Sequence, residues 1–226
     1  MAEFIVALDL PGRDEALRWL DRAGGLRWAK VGSVLFTREG PPFIRELLGR
    51  GLEIFLDLKW HDIPNTVAGA VEGARELGVT MATIHTLGGS EMMSAAAVAA
   101  GAKLGVVGVT VLTSHTPQGY GAATGRGSVD TEEEVRRLAK GAITAGLRGI
   151  VCSPHEVATV RGIVPASGWI VVPGIRRAGD AAGDQARVAG PADAVKAGAT
   201  HLVVGRPLLQ ASDPAAAVRE FQEAAG

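Results

Sequence analysis

One cysteine, Cys152, is all that the 226-residue chain contains. A disulfide framework is therefore excluded, and the composition suits a reducing compartment. Cys152 lies in the apolar run GIVCS, which reads as buried filler rather than as a nucleophile. Charge of one sign is also missing: 23 Lys and Arg stand against 24 Asp and Glu, a formal net charge of −1. That balance gives no reason to expect nucleic acid or an anionic membrane as a partner. No apolar run approaches the roughly 20 residues of a membrane helix. The first residues, MAEFIVALDLPG, lack the basic start and long apolar segment of a secretory signal, so a cytoplasmic location is expected.

What is present is enough apolar residue, 47% of the chain, for a sizeable core. It recurs in eight short runs: FIVALD (4–9), LRWAKVG (26–32), LEIFLDLK (52–59), MATIHT (81–86), KLGVVGVTVLT (103–113), GIVCS (149–153), WIVVPGI (169–175) and HLVVGR (201–206). Most are apolar almost throughout, as strands buried on both faces of a parallel sheet are. Between them RDEALRWLDRA, PPFIRELLGR, PNTVAGAVEGARELG and EEEVRRLAKGAITAG space apolar residues by three or four, a helical period. HEVATVRG, PADAVKAG and DPAAAVREFQEA predict shorter helices. Pro42 and Pro64 suit first turns, and Gly78 and Gly146 suit helix C-termini. Alternation of this kind predicts one (β/α)8 barrel over residues 1–226, a fold of about 250 residues. Periodicity alone leaves a doubly wound open sheet as the alternative. Two long Gly- and Ala-rich connections, SHTPQGYGAATGRGSVD and RRAGDAAGDQARVAG, follow the fifth and seventh strands and read as lids over a barrel mouth.

Polar residues gather at the strand ends: Asp9, Lys30, Asp57, Lys59, His85, Thr86, Thr113, Arg176 and Arg206. In a closed barrel these ends meet at one mouth. The densest group is DLKWHDIPNT (57–66). Asp57 and Lys59 are two apart and face the same way from a strand. Asp62 lies beyond it, where Pro64 opens a helix, and Asp62 is also placed to be that helix's N-cap. Neighbouring carboxylates keep an ammonium charged, so Lys59 can donate a proton. A structural ion-pair network is the other account of these charges. PGIR (173–176) and VVGRP (203–207) bring two arginines and a glycine to the ends of strands seven and eight, where barrels often hold phosphate. His61 and His85 with the aspartates match no dense metal-ligand spacing, and two lysines would stand beside the ion. His61, out of phase with Asp57 and Lys59, would point away.

These motifs, with ALD (7–9), AKVG (29–32), TIHTLGG (83–89), GVTVLTS (108–114) and GDAAGDQ (179–185), resemble the orotidine 5′-monophosphate decarboxylase family of bacterial type almost end to end. The resemblance implies a cofactor-independent, metal-free decarboxylation of orotidine 5′-monophosphate to UMP, the last step of UMP biosynthesis. It implies Asp9 and Lys30 at the ribose, Asp57 against the substrate carboxylate, and Lys59 as proton donor to C6. It further implies Asp62 and Thr66 lent across a homodimer interface, and Thr113 with Ser114 at the pyrimidine. Pro173, Arg176, Gln185, Gly205 and Arg206 would form the phosphate and loop-closing end. Two positions depart from the pattern: Arg177 stands where the family often has proline, and Trp60 is bulkier than expected. A sister family acting on keto-sugar phosphates shares the Asp-x-Lys-x-x-Asp core but carries a magnesium-holding carboxylate in place of Lys30. An isomerase or epimerase, and a non-catalytic nucleotide-binding barrel, are the remaining alternatives.

Overall fold

The computed structural model of the chain describes residues 2–177 and 189–225. Eight parallel strands close into a barrel in sequence order. They are β1 (Glu3–Ala7), β2 (Trp28–Gly32), β3 (Glu53–Trp60), β4 (Met81–His85), β5 (Gly105–Val109), β6 (Gly149–Val151), β7 (Trp169–Val172) and β8 (His201–Val204). Closure is made by β1 pairing with β8, Glu3 opposite His201 through Val6 opposite Val204. The open sheet is thereby excluded.

The intervening helices are α1 (Arg13–Ala23), α2 (Ser33–Gly49), α3 (Pro64–Leu77), α4 (Gly89–Ala100), α5 (Pro117–Ala123), α6 (Thr131–Thr144), α7 (Val157–Arg161), α8 (Pro191–Ala197), α9 (Arg206–Leu209) and α10 (Pro214–Ala225). The predicted C-terminal glycines hold left-handed conformations, Gly78 at φ 90° and Gly146 at φ 88°. Helix α2 begins earlier than the PPFIRELLGR pattern and is broken at Gly40 (φ 60°), where Pro41 and Pro42 restart it. Helix α4 has no counterpart among the predicted helices. Its sequence, GSEMMSAAAVAA, buries Met92, Met93, Ala96 and Ala100, but alanine on the outer side removes the polar contrast on which the period depends. None of the described helices is long and apolar enough to cross a membrane.

Two apolar layers result from strand alternation. Residues such as Val6, Val31, Leu56 and Ile84 face outward and pack under the helices. Ile5, Ala7, Trp28, Phe55, Met81, Val107, Val171 and Val203 fill the interior. At the N-terminal end Trp169 lies across the barrel, and a Cβ at Gly105 would come within 1.9 Å of its ring. Trp28 meets Trp169 edge-on with centroids 6.5 Å apart, and His201 packs 5.0 Å from Trp169. This end is plugged, and only the C-terminal mouth remains for a site.

Candidate active site

Four inward positions continue the apolar interior by one step of two residues. Ala7 leads to Asp9, Trp28 to Lys30, Phe55 to Asp57 and Met81 to Thr83. The polar ring therefore sits directly above the hydrophobic plug. Lys30 Nζ lies 3.0 Å from Asp9 Oδ1 and 3.5 Å from Asp57 Oδ2. Lys59 Nζ lies 2.8 Å from Asp57 Oδ1, to which the Thr83 hydroxyl donates at 3.0 Å. Asp57 thus joins both lysines.

Alternation puts Lys59 on the same side as Asp57, but the pairing of β3 with β4 is irregular between them. Leu56 pairs with Ala82 and Trp60 with Ile84, so Asp57, Leu58 and Lys59 bulge opposite the single residue Thr83. Lys59 has φ 52°, the one positive value outside glycine among the described residues. Left-handed backbone at a lysine costs about 1–2 kcal/mol, and an observed outlier of this kind marks a candidate functional site. Lys59 faces the mouth and Trp60, on the other side of the strand with Leu56, packs against the helix-covered layer.

Burial disfavours charge on Lys30 and Asp57, whose side chains are 11% and 12% exposed, whereas Lys59 is 40% exposed. Burial works to lower the Lys30 pKa, but Asp57 and Asp9 outweigh it and the net direction is upward. Burial works to raise that of Asp57, but Lys30, Lys59 and the Thr83 hydrogen bond carry it below the usual carboxylate range. Both groups stay ionised at neutral pH. His85 is pushed down to about 4, by burial first and then by His61, Lys59 and His115, so it adds no charge at neutral pH. Its ring stacks on His61 at 5.5 Å between centroids. His61 is exposed, and neither ring lines the cavity. No group of three or more His, Cys, Asp or Glu is placed to hold a metal among the described residues.

The charged array floors a cavity of about 350 Å³ whose other walls include Val111, Thr113, Pro173, Arg176, Gly205 and Arg206. Thr113 lies four residues beyond the end of β5 at Val109, not at the strand terminus as the sequence run suggested. Arg176 is buried rather than a surface arginine, with its Nη1 donating to Ile175 O at 2.8 Å and its amide to Ala189 O at 3.0 Å. Arg206 is exposed and opens α9. A Cβ at Gly205 would sit 3.6 Å from Asp9 Oδ2, filling space at the cavity edge. Gln185 and most of the connection after β7 lie outside the described residues. Arg177 pairs with Glu220 at 2.6 Å and lies over the Phe221 ring, so it ties this edge to α10.

Asp62 and Thr66 are exposed and stand apart from the array. Asp62 is not the N-cap of α3. That position belongs to Ile63, whose amide donates to Asp62 Oδ1 at 2.7 Å. Thr83 and Gly32 were not singled out from the sequence. Thr83 takes the inward position two before His85, and Gly32 lies two after Lys30, where a Cβ would lie 3.2 Å from the Lys30 ammonium.

A family model described as orotidine 5′-phosphate decarboxylase / HUMPS family matches residues 2–221. The orotidine 5′-phosphate decarboxylase of Opitutus terrae is 47% identical over 224 residues, covering 97% of this chain and 96% of that protein. The enzyme of the same name from Anaeromyxobacter sp. strain K is 53% identical over 190 residues, covering 84% and 83%. The crystal structure of orotidine 5′-phosphate decarboxylase from Lactobacillus acidophilus superimposes with a TM-score of 0.87 at 34% identity, covering both chains fully. An uncharacterised conserved protein from Geobacillus kaustophilus superimposes with a TM-score of 0.85 at 33% identity, covering 99% of this chain and 100% of that one. This chain belongs to the orotidine 5′-phosphate decarboxylase / HUMPS family.

Proposed function

We propose that the chain is one barrel domain that decarboxylates orotidine 5′-monophosphate to UMP and carbon dioxide without a cofactor, as the last step of UMP biosynthesis in the cytoplasm. The observation that carries this reading is the Lys30–Asp57–Lys59 array on the floor of a cavity whose far wall bears Arg176 and Arg206. Lysine at position 30 argues against the magnesium-dependent sister chemistry. The names of the relatives, from 47% to 53% identity, support the same substrate.

In this mechanism the arginines and Gly205 take the phosphate, Asp9 and Lys30 take the ribose, and Thr113 meets the pyrimidine edge. The C6 carboxylate then lies near Asp57. When the C6–carboxylate bond breaks, its electron pair stays on C6 and carbon dioxide departs. The Lys59 ammonium stabilises that charge electrostatically and gives C6 a proton. Its neutral amine regains one from solvent. Phosphate contacts remote from C6 supply binding energy for loop closure and exclusion of water.

The active unit in this proposal is a homodimer in which Asp62 and Thr66 act in the partner's site. Val34, Ile63 and Leu87 are exposed apolar residues just beyond β2, β3 and β4, and a face of that kind suits a second copy. A second cavity of about 490 Å³, lined by Val34, Arg38, Lys30 and Lys59 together with Asp9 and Asp57, opens on this side of the array. The primary test is loss of ultraviolet absorbance from orotidine 5′-monophosphate with stoichiometric UMP, in buffer and in chelator. Equal rates in both are expected. A chelator-sensitive rate would overturn the cofactor-independent reading, and no UMP would overturn the substrate.

A further inference from the structure

We propose that Thr83 is a positioning residue for the reaction, holding both the backbone of Lys59 and the carboxylate of Asp57 through one hydroxyl. This rests on the decarboxylase reading above. Thr83 is fully buried and does not line the cavity. Its hydroxyl accepts from the Lys59 amide at 2.9 Å and donates to Asp57 Oδ1 at 3.0 Å. A hydroxyl has one proton to give, so this bond leaves Oδ1 shared between Thr83 and Lys59 Nζ.

The arrangement is particular to this threonine. Thr86 and Thr110 donate their hydroxyls to the backbone carbonyls of Val109 and Val151, both at 2.8 Å, and so only brace neighbouring strands. Thr83 alone stands opposite the three-residue bulge of β3, between the pairs Leu56–Ala82 and Trp60–Ile84. The bulge takes the Lys59 amide out of the β3–β4 ladder, and a buried amide left unpaired is costly. The Thr83 oxygen supplies the missing acceptor at the one residue outside glycine with positive φ. Removing it frees the Lys59 backbone to leave its left-handed conformation, which displaces the ammonium from its place beside Asp57 and C6. It also releases Asp57 from one of two donors on Oδ1.

The titratable groups around Asp57 are Lys59 from its own strand, Lys30 from β2 with Asp9 just past β1 behind it, and His85, neutral at neutral pH and stacked on His61. None of them replaces the lost hydrogen bond. A carboxylate that loses a donor is protonated at higher pH.

The test compares Thr83→Val with Thr83→Ser, following kcat, KM, the pH profile of kcat and amide exchange at Lys59. Thr83→Val is expected to lower kcat by about 10- to 100-fold, the scale of a small misplacement of reacting groups, with KM changed less than about threefold. The acid limb of its kcat profile moves to higher pH and the Lys59 amide exchanges faster. Thr83→Ser keeps both bonds and restores kcat, the acid limb and slow exchange. Wild-type kcat and pH profile in Thr83→Val would overturn the proposal. So would equal losses in Ser and Val that follow melting temperature alone. Should the valine variant not fold, Thr83→Cys, a weaker donor and acceptor, is expected to show the same changes in smaller measure, and wild-type behaviour there would overturn the proposal. A wild-type enzyme inert toward orotidine 5′-monophosphate would refute the decarboxylase reading. In that event exchange at Lys59 still decides whether the Thr83 hydroxyl holds the bulge, and exchange left unchanged in Thr83→Val would refute it.

Discussion

Asp57 and Lys30 hold each other charged above an apolar plug, and Lys59 lies 2.8 Å from the same carboxylate. Desolvating a carboxylate is costly, and two ammonium groups with a hydroxyl offset that cost at Asp57. Under the proposed decarboxylation the consequence is preorganisation: Lys59 would need no reorientation as charge develops at C6. Lys59→Ala is expected to lower kcat by at least about 10³-fold, since proton donation and electrostatic stabilisation are lost together. Lys30 still pairs with Asp57 in that variant, so the protein folds and binds UMP, measurable by calorimetry beside the ultraviolet assay. Near-normal turnover would remove Lys59 from the donor role. Lys30, Asp57 and Lys59 were legible in sequence because charges interrupt runs that are otherwise apolar. Thr83 was not, because threonine is an ordinary strand residue and its partners are set by a bulge that has no sequence signature of its own.

At the scale of elements, the connection after β5 departs most from its reading as a lid. Residues Pro117–Ala123 form α5, capped by the Thr116 side chain, which accepts from the Gly119 amide. Glu134 of α6 pins this segment: it accepts from Tyr120 Oη at 2.9 Å, Arg126 at 2.9 Å and Arg137 at 2.7 Å. Composition rich in glycine and alanine concealed the helix, as it concealed α4. The contacts that fasten it lie 8 and 14 residues apart in sequence, a distance over which no local period speaks. The hydrogen bond from Arg137, opposed by burial and reinforced by Arg126 and Tyr120, pushes Glu134 down to about 2. A carboxylate depressed in the folded state contributes stability above its ordinary value of 4.5, lost as pH falls toward 2. Glu134→Gln is therefore expected to destabilise the protein by roughly 2–3 kcal/mol at neutral pH. The gap from wild type narrows below about pH 4.5, and protease cleavage within 114–130 becomes faster. Urea denaturation at pH 7 and pH 4 measures the first, and a gap that did not shrink with acid would contradict the assignment.

For the molecule as a whole, eight strand–helix units were legible from apolar runs separated by helical periods. Closure was not, because it depends on β1 meeting β8 across nearly the whole chain. The partner is a further step beyond the single chain. Asp62 and Thr66 lie on the exposed side of the β3–α3 turn, and Asp62 makes no ion pair with Lys30 or Lys59 among the described residues. If Asp62 serves the site of a second copy, each active site draws Lys59 from one chain and Asp62 from the other. Lys59→Ala and Asp62→Ala homodimers are each then impaired at both sites. A hybrid dimer carries one doubly defective site and one intact site. Random exchange places half of the chains in hybrids, each with one working site of two, so an equimolar mixture approaches about a quarter of wild-type activity per chain. Subunit exchange is followed with differently tagged chains, so that the recovered rate is compared with the hybrid fraction. Exchange without recovery would assign Asp62 to its own chain's site or to none.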